Sequence, residues 1–147
     1  MSTSTAHSLR LTRVIAASPQ VVFEAWTRPE HLKNWSCPEG ATLEDVEVDL
    51  REGGAYTLRM RNAEGQVHTA RGEYRVIDPP RRLVYTWDWL EEENRMGETV
   101  VTVELEEAAD GRTQVVLTHE GFPAEEAKVG HGQGWASCLD RLERLYT

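Results

Sequence analysis

Two histidines are the first candidates for chemistry in this chain. His68 and His119 each lie in a segment where apolar and polar residues alternate, so a strand would point both side chains to its inward face. A neutral imidazole titrates close to neutral pH and suits proton transfer inside a pocket. The alternative interpretation is that each histidine is a wall residue whose ring nitrogens meet backbone groups or water. Nothing in the sequence brings the two histidines together.

The spacing of the histidines does not predict a metal site. The chain has five histidines, and no two of them are separated like a ligand pair such as His-x-x-x-His. His119 and Glu120 are adjacent in a strand and therefore point to opposite faces. We expect no metal and no other cofactor.

A larger set of residues suits the binding of a hydrophobic molecule. Aromatic walls with a few polar tips provide the contacts that such a ligand needs. The candidate ligand-binding residues are Trp35, Tyr56, Met60, His68, Tyr74, Tyr85, Trp87, Trp89, Leu117, His119, Trp135 and Leu139. Trp135 is the strongest member, because it lies on the side of a helix that faces the sheet. The alternative for any one of them is a place in an ordinary packed core.

Two short helices come first among the elements that must position these residues. Ser18 can cap a helix whose first position is Pro19, where the missing backbone N–H costs nothing. Pro29 can end this helix and start the next one. The segment from Val21 to Pro38 therefore predicts a broken helix pair that follows one short strand.

The rest of the chain changes from a strand period to a helix period. Alternation of period two predicts about six antiparallel strands up to His119, and Asp110-Gly111 is the clearest hairpin signal. The last segment has steps of three and four residues and predicts an amphipathic helix that opens near Pro123. Its apolar stripe contains Trp135, Cys138, Leu139, Leu142, Leu145 and Tyr146.

Three glycines precede this stripe. Gly130, Gly132 and Gly134 each cost about 1 kcal/mol relative to alanine in a helix interior. This end of the helix is therefore expected to fray or bend, and it could act as a gate. A helix that simply starts late is the alternative.

A cavity is expected from the order of these elements. A single helix is about 10 Å across and does not fill the concave face of a wide, twisted sheet. The remaining volume is either packed with large side chains or left open. Ala70 and Gly72 are small residues in the inward rows, and they favour an open volume.

Composition limits the possible partners and locations. The chain has 147 residues and a formal charge of −9, which argues against nucleic acid or an anionic membrane as the main partner. No apolar window could span a bilayer, and no signal-peptide pattern begins the chain, so a cytoplasmic location is the default expectation. Cys37 and Cys138 are expected to be free thiols with packing roles, with a redox pair or a catalytic thiol as the alternatives.

Several segments, in order, resemble the family of homologues of the activator of heat-shock chaperone ATPase, in the START-like (helix-grip) superfamily. The matching segments are LTRVIAASPQVVFEAWTRPEHLKNW, VDLREGGAYTLRM, RGEYRVIDPPRRLVYTW, VTVELEE, GRTQVVLTHEGFP and GWASCLDRLERL. The resemblance implies an α+β fold with a curved antiparallel sheet of about six to seven strands around a long C-terminal helix. It implies one domain over residues 9–147, and we expect residues 1–8 to form a disordered tail.

The resemblance also implies which functions to expect. Superfamily relatives bind lipids, sterols, hormones or polyketides, and some cyclise polyketide chains. The eukaryotic namesake stimulates a chaperone by a protein contact and carries an additional N-terminal domain, for which this chain is too short. We predict non-enzymatic binding of a small, largely hydrophobic molecule between sheet and helix.

Two other functions stay open. One is a polyketide cyclase-like or hydrolytic enzyme that uses His68 or His119 as the proton carrier. The other is a protein-interaction domain, such as a stimulator of a chaperone ATPase, that uses its acidic surface. The loop from Glu91 to Gly97 is expected to be a solvated turn, with docking of a basic partner as the alternative.

Overall fold

One antiparallel sheet of seven strands organises the protein. The computed structural model describes residues 7–147, and in it the strands pair in the order β1-β7-β6-β5-β4-β3-β2. The strands are β1 (Leu9–Ile15), β2 (Thr42–Val48), β3 (Ala55–Arg61), β4 (Val67–Asp78), β5 (Arg82–Trp89), β6 (Thr99–Glu107) and β7 (Thr113–Glu120). The sheet is curved, and with a long C-terminal helix it makes the α+β helix-grip fold that the sequence predicts.

The two short helices begin where the prolines predict. Helix α1 spans Pro19–Thr27 and helix α2 spans Pro29–Leu32. The Ser18 hydroxyl caps α1 by accepting a hydrogen bond from the backbone N–H of Val21 at 3.3 Å. Trp26 and Leu32 are buried in the same core as the sheet residues, so the helix pair closes one side of that core.

The long helix α3 spans Glu125–Leu145 without interruption. Its opening turn follows Pro123, as predicted, and the helix continues through Gly130, Gly132 and Gly134. The alternative of a helix that starts after the glycines is therefore wrong. Leu139 and Leu142 are fully buried against the sheet, which makes the C-terminal half of α3 the better packed half.

Gly72 marks a close approach in the sheet. A Cβ atom at Gly72 would lie 1.9 Å from the Thr86 carbonyl oxygen and 2.8 Å from the Tyr56 ring. The Tyr56 ring lies over Gly72, and its hydroxyl donates a 2.6 Å hydrogen bond to the same carbonyl. The Thr86 hydroxyl in turn accepts from the backbone N–H of Glu73 at 2.9 Å. Gly72 and Glu73 have no paired residue on β5. Hydrogen bonds from side chains therefore take the place of backbone hydrogen bonds between β4 and β5 at this point.

The prediction that Gly72 contributes open volume is therefore wrong. The space above this glycine is occupied by the Tyr56 ring and the Thr86 backbone. Glycine is needed here for a contact between side chain and backbone, and the sequence pattern does not distinguish such a contact from an empty space.

The first predicted variant is Gly72→Ala. We expect a loss of at least about 2 kcal/mol in the free energy of unfolding, because the methyl group overlaps a backbone carbonyl that has little room to move. Urea unfolding measures the change. Gly132→Ala is the control, since its Cβ would meet only Leu9 at an ordinary 3.7 Å. Equal stability of Gly72→Ala and the wild type would contradict the close approach.

The structure describes only part of the predicted N-terminal tail. Of the predicted disordered tail, residues 1–6 lie outside the described residues, whereas the His7 carbonyl accepts a hydrogen bond from the N–H of Phe122 at 3.3 Å.

Among residues 7–147, no helix is both long enough and apolar enough to cross a bilayer.

Candidate functional site

A cavity of about 340 Å³ lies between the N-terminal half of α3 and the sheet. Strands β3 and β5, helix α3 and the loop after α2 each contribute to its wall. The lining residues are Ser36, Pro38, Met60, Trp87, Trp89, Glu126, Ala127, Gly130, His131, Gly134, Trp135 and Cys138. We call this volume the aromatic cavity. Its size falls in the range of small-molecule sites.

The size of the side chains along α3 explains where the cavity lies. Positions 127, 130, 131, 134, 135 and 138 follow each other at helical spacing and all line it. Toward the C-terminus the same stripe continues with Leu139 and Leu142, which fill the space under the sheet. Toward the N-terminus it carries Ala127, Gly130 and Gly134, which are too small to do so. The aromatic cavity is the volume that these small residues leave.

The second prediction concerns the glycines of α3. Gly130→Ala and Gly132→Ala are each expected to raise the free energy of unfolding by about 1 kcal/mol, because alanine is the better helix former. A Cβ at Gly130 would have no atom within 4 Å, and one at Gly132 would meet Leu9 at 3.7 Å. Urea unfolding tests both variants. A destabilised Gly130→Ala would mean that the wall of the cavity is closed at this point.

The aromatic cavity continues outward into a wider opening of about 950 Å³. The β3–β4 turn, the β5–β6 loop and the loop after α2 surround this opening, which we call the mouth. The residues that line only the mouth include Glu64, Glu93, Asn94 and Met96. Six residues line both volumes: Pro38, Met60, Trp89, Glu126, Ala127 and His131. The acidic β5–β6 loop is therefore part of the site as well as a surface turn.

Three tryptophans form the inner wall. The Trp87 ring lies between the other two, with its centroid 5.5 Å from that of Trp89 and 5.5 Å from that of Trp135. Trp87 is 5 % exposed, and within the described residues its indole N–H has no hydrogen-bond acceptor. The other four indole N–H groups of the chain all have one. Trp87 is therefore the one wall tryptophan with an unused donor.

His119 holds part of this wall in place from behind. Its Nδ1 accepts from the Trp135 indole N–H at 3.0 Å, so its proton lies on Nε2. That Nε2–H donates to the Thr99 hydroxyl at 2.7 Å, and the hydroxyl donates to the Trp87 carbonyl at 2.6 Å. The imidazole is fully buried and does not line the cavity. Burial, followed by the proximity of His131, lowers the pKa of His119 to about 2.

His131 plays the matching part on the helix, and sequence reasoning missed it. Its Nδ1–H donates to the Ala127 carbonyl at 2.8 Å, and its Nε2 accepts from the Trp89 indole at 3.2 Å. Burial lowers its pKa, against a smaller upward effect of the bond to Ala127. A usable signal was present, because His131 lies four residues before Trp135 and so extends the apolar stripe of α3 by one turn.

The third prediction is a dependence of stability on pH. The pKa of His119 is about 2 in the folded chain against 6.5 when unperturbed, so the unfolded chain binds the extra proton between these values. Stability is therefore complete above about pH 6.5 and falls as the pH drops below it, by up to about 1.4 kcal/mol per unit. Urea unfolding from neutral pH to about pH 5 measures this slope. His119→Gln should show a shallower slope, and an unchanged slope would contradict the buried neutral state.

The structure separates the predicted ligand-binding residues into two groups. Met60, His68, Trp87, Trp89 and Trp135 line the aromatic cavity or its mouth. The other seven do not: Trp35, Tyr56, Tyr74, Tyr85, Leu117, His119 and Leu139. Alternation in a strand marks the inward face, but it does not tell which inward residues meet a packed core and which meet an open volume.

The tyrosines show how this second group packs. Tyr56, Tyr74 and Tyr85 surround a separate space of about 20 Å³, enough for about one water molecule. Burial raises the pKa of all three, so each hydroxyl keeps its proton as a donor. The Tyr85 hydroxyl accepts from the Trp26 indole at 3.1 Å. This part of the inward face of the sheet is a packed core in which hydrogen bonds join the rings.

The two cysteines are free and buried. Cys138 lines the aromatic cavity, and burial raises its pKa to about 12, so its thiol is protonated and a poor nucleophile. The Cys37 sulfur accepts a hydrogen bond from Arg141 at 3.2 Å. Both environments fit packing roles. Between residues 7 and 147, no group of three or more His, Cys, Asp or Glu side chains converges as metal ligands would.

Comparison with known proteins identifies the family. The model of the family described as "Activator of Hsp90 ATPase homolog 1-like protein" matches residues 16–147. The chain belongs to this family. No curated protein matches it, but many solved structures do.

A protein from Chromobacterium violaceum is 29% identical, with a TM-score of 0.88 and coverage of 97% of this chain and 98% of the other. A protein from Nitrosomonas europaea is 26% identical, with a TM-score of 0.81 and coverage of 96% and 94%. An AHSA1 protein from Silicibacter pomeroyi is 28% identical, with a TM-score of 0.82 and coverage of 93% and 95%. The family shares a fold that commonly binds hydrophobic ligands.

Proposed function

We propose that this member of the Activator of Hsp90 ATPase homolog 1-like family binds a small, largely hydrophobic molecule in the aromatic cavity. The observation that carries the proposal is the pairing of a 340 Å³ volume with a wall that contains three tryptophans. Lipid-, sterol- or polyketide-like molecules have the apolar surface that such a wall would bury.

The preorganisation of the wall supports the proposal. Two tryptophan–histidine hydrogen bonds, from Trp135 to His119 and from Trp89 to His131, fix the two outer indoles. A ligand that enters a fixed wall loses less free energy to the ordering of side chains. The indole N–H of Trp87 is buried and has no acceptor within the described residues, so Trp87 contributes the surface of its ring, not a hydrogen bond, to the wall of the cavity.

The enzymatic alternative through His119 has less support. Both of its ring nitrogens are already hydrogen-bonded, and neither faces the cavity. His68 lines the mouth, and its Nδ1 lies 2.9 Å from the Asn94 amide nitrogen. Carboxylates such as Glu93 line the same mouth, but within the described residues neither a hydrogen bond nor an ion pair joins His68 to any of them, so the acid–base pair that catalysis would need is not formed. Binding without catalysis is the function that this geometry favours.

The fourth prediction is a selective response of the tryptophans to a ligand. We would titrate the protein with sterols, fatty acids, flavonoids and polyketide-like aromatics and follow the five indole N–H resonances by two-dimensional NMR. For a binding compound we expect saturable shifts of Trp87, Trp89 and Trp135, because these rings line the cavity. Trp26 and Trp35 should stay unchanged, since their indoles are bonded inside the core.

A matched pair of variants sharpens this test. Gly130→Leu introduces a side chain on the wall of the cavity and should weaken binding at least tenfold. Val129→Leu is the control, because Val129 is 48% exposed on the same turn of α3 and does not line the cavity. Equal affinities of the two variants, or shifts confined to residues outside the cavity, would refute the proposed site.

A further inference from the structure

We propose that the ligand is a hydrophobic organic cation, with an aromatic body in the aromatic cavity and a positively charged group, such as an ammonium, at the mouth. This inference rests on the proposed function and adds the charge of the ligand to it. It is carried by the charged side chains that surround the two volumes and by their position relative to the aromatic wall.

The charges around the site all have one sign. The fixed charges on the combined walls are the carboxylates of Glu39, Glu64, Glu93 and Glu126, and neither a lysine nor an arginine lines either volume. A wall of one sign next to a low-dielectric cavity concentrates counter-ions of the opposite sign. This site therefore attracts cations and repels anions such as fatty-acid carboxylates.

Three of these carboxylates remain available to a ligand. Glu39 is already paired, with Arg141 at 3.4 Å and Arg144 at 2.8 Å. Within residues 7–147, Glu64, Glu93 and Glu126 form no ion pair. The negative charge that faces the mouth is therefore not neutralised by the protein itself.

Glu126 is the best placed of the three. It is the one charged side chain on the wall of the aromatic cavity, and it also lines the mouth, as do Trp89 and His131. A cation held at this boundary would meet a carboxylate and the indole of Trp89 together. Cations bind to indole faces by the ring quadrupole, and the attraction grows when water is excluded.

The start of α3 does not reverse this preference. A helix N-terminus carries a partial positive charge of about half an elementary charge, which attracts anions. Glu125 and Glu126 lie in this first turn, and Glu125 is offset by Lys128 at 3.7 Å. The unpaired full charge of Glu126 exceeds the partial charge of the helix, so the net field at the mouth stays negative.

The fifth prediction uses three ligands that share one ring system and differ in charge. The probes are 1-naphthylmethylammonium, 1-naphthylmethanol and 1-naphthylacetate, titrated at low ionic strength and slightly alkaline pH, with the indole resonances as the readout. We expect the cation to bind at least tenfold more tightly than the alcohol, and the acetate most weakly. Added salt should reduce the differences in affinity between the three probes, because it screens the interactions between exposed charges.

Two charge variants separate the local effect from the net charge of the protein. Glu126→Gln should remove most of the preference for the cation over the alcohol, measured as the ratio of the two dissociation constants for the same variant. Glu107→Gln is the control, since it makes the same change in net charge at an exposed site on the far end of β6. Equal losses in the two variants would overturn the role of Glu126.

The outcomes also separate this inference from the function on which it rests. If the alcohol or the acetate binds as tightly as the cation, with shifts of Trp87, Trp89 and Trp135, the cation preference is wrong and the cavity stands as a binding site. If none of the three shifts these indoles at millimolar concentration while a neutral compound of the first panel does, the cation preference is wrong and the binding site stands. If no compound of either set shifts them while the protein is folded, both proposals fall.

Discussion

The site depends on one constraint, which is the width of α3 against the concave face of the sheet. Where the helix carries leucines, the space between helix and sheet is full, and Leu139 and Leu142 are completely buried. Where it carries Ala127, Gly130 and Gly134, about 340 Å³ is left open. The change from small side chains to leucines along α3 therefore coincides with the boundary between cavity and core.

Keeping such a volume open requires a wall that does not collapse into it. A void in an apolar core loses dispersion contacts and favours inward relaxation of its neighbours. Here the outer two tryptophans are tied to histidines that are themselves bonded to backbone or to Thr99. Each histidine must stay neutral to keep these bonds, and burial favours the neutral form. The polar network therefore acts as the support of an apolar surface.

The histidines near the cavity differ in how their ring nitrogens are hydrogen-bonded. His119 and His131 have both ring nitrogens engaged, one behind the wall and one within it. His68 stands at the mouth beside Asn94, close to the unpaired glutamates. Under the function proposed here, an apolar interior with an acidic mouth would select a ligand by shape at one end and by charge at the other.

The sequence by itself determined the elements and their order. Proline positions set both short helices, alternation set the strands, and the three-and-four spacing set α3, because these signals act between residues that are close along the chain. Together with the family resemblance they gave the helix-grip fold, and they pointed to Met60, Trp87, Trp89 and Trp135 as inward residues. The tertiary structure decided which inward residues meet empty space. Gly72 was expected to leave room and is covered by Tyr56, whereas Gly130, a position expected to weaken the helix, also borders the cavity. Free volume depends on the distance between surfaces that are far apart in sequence, and no local pattern encodes that distance.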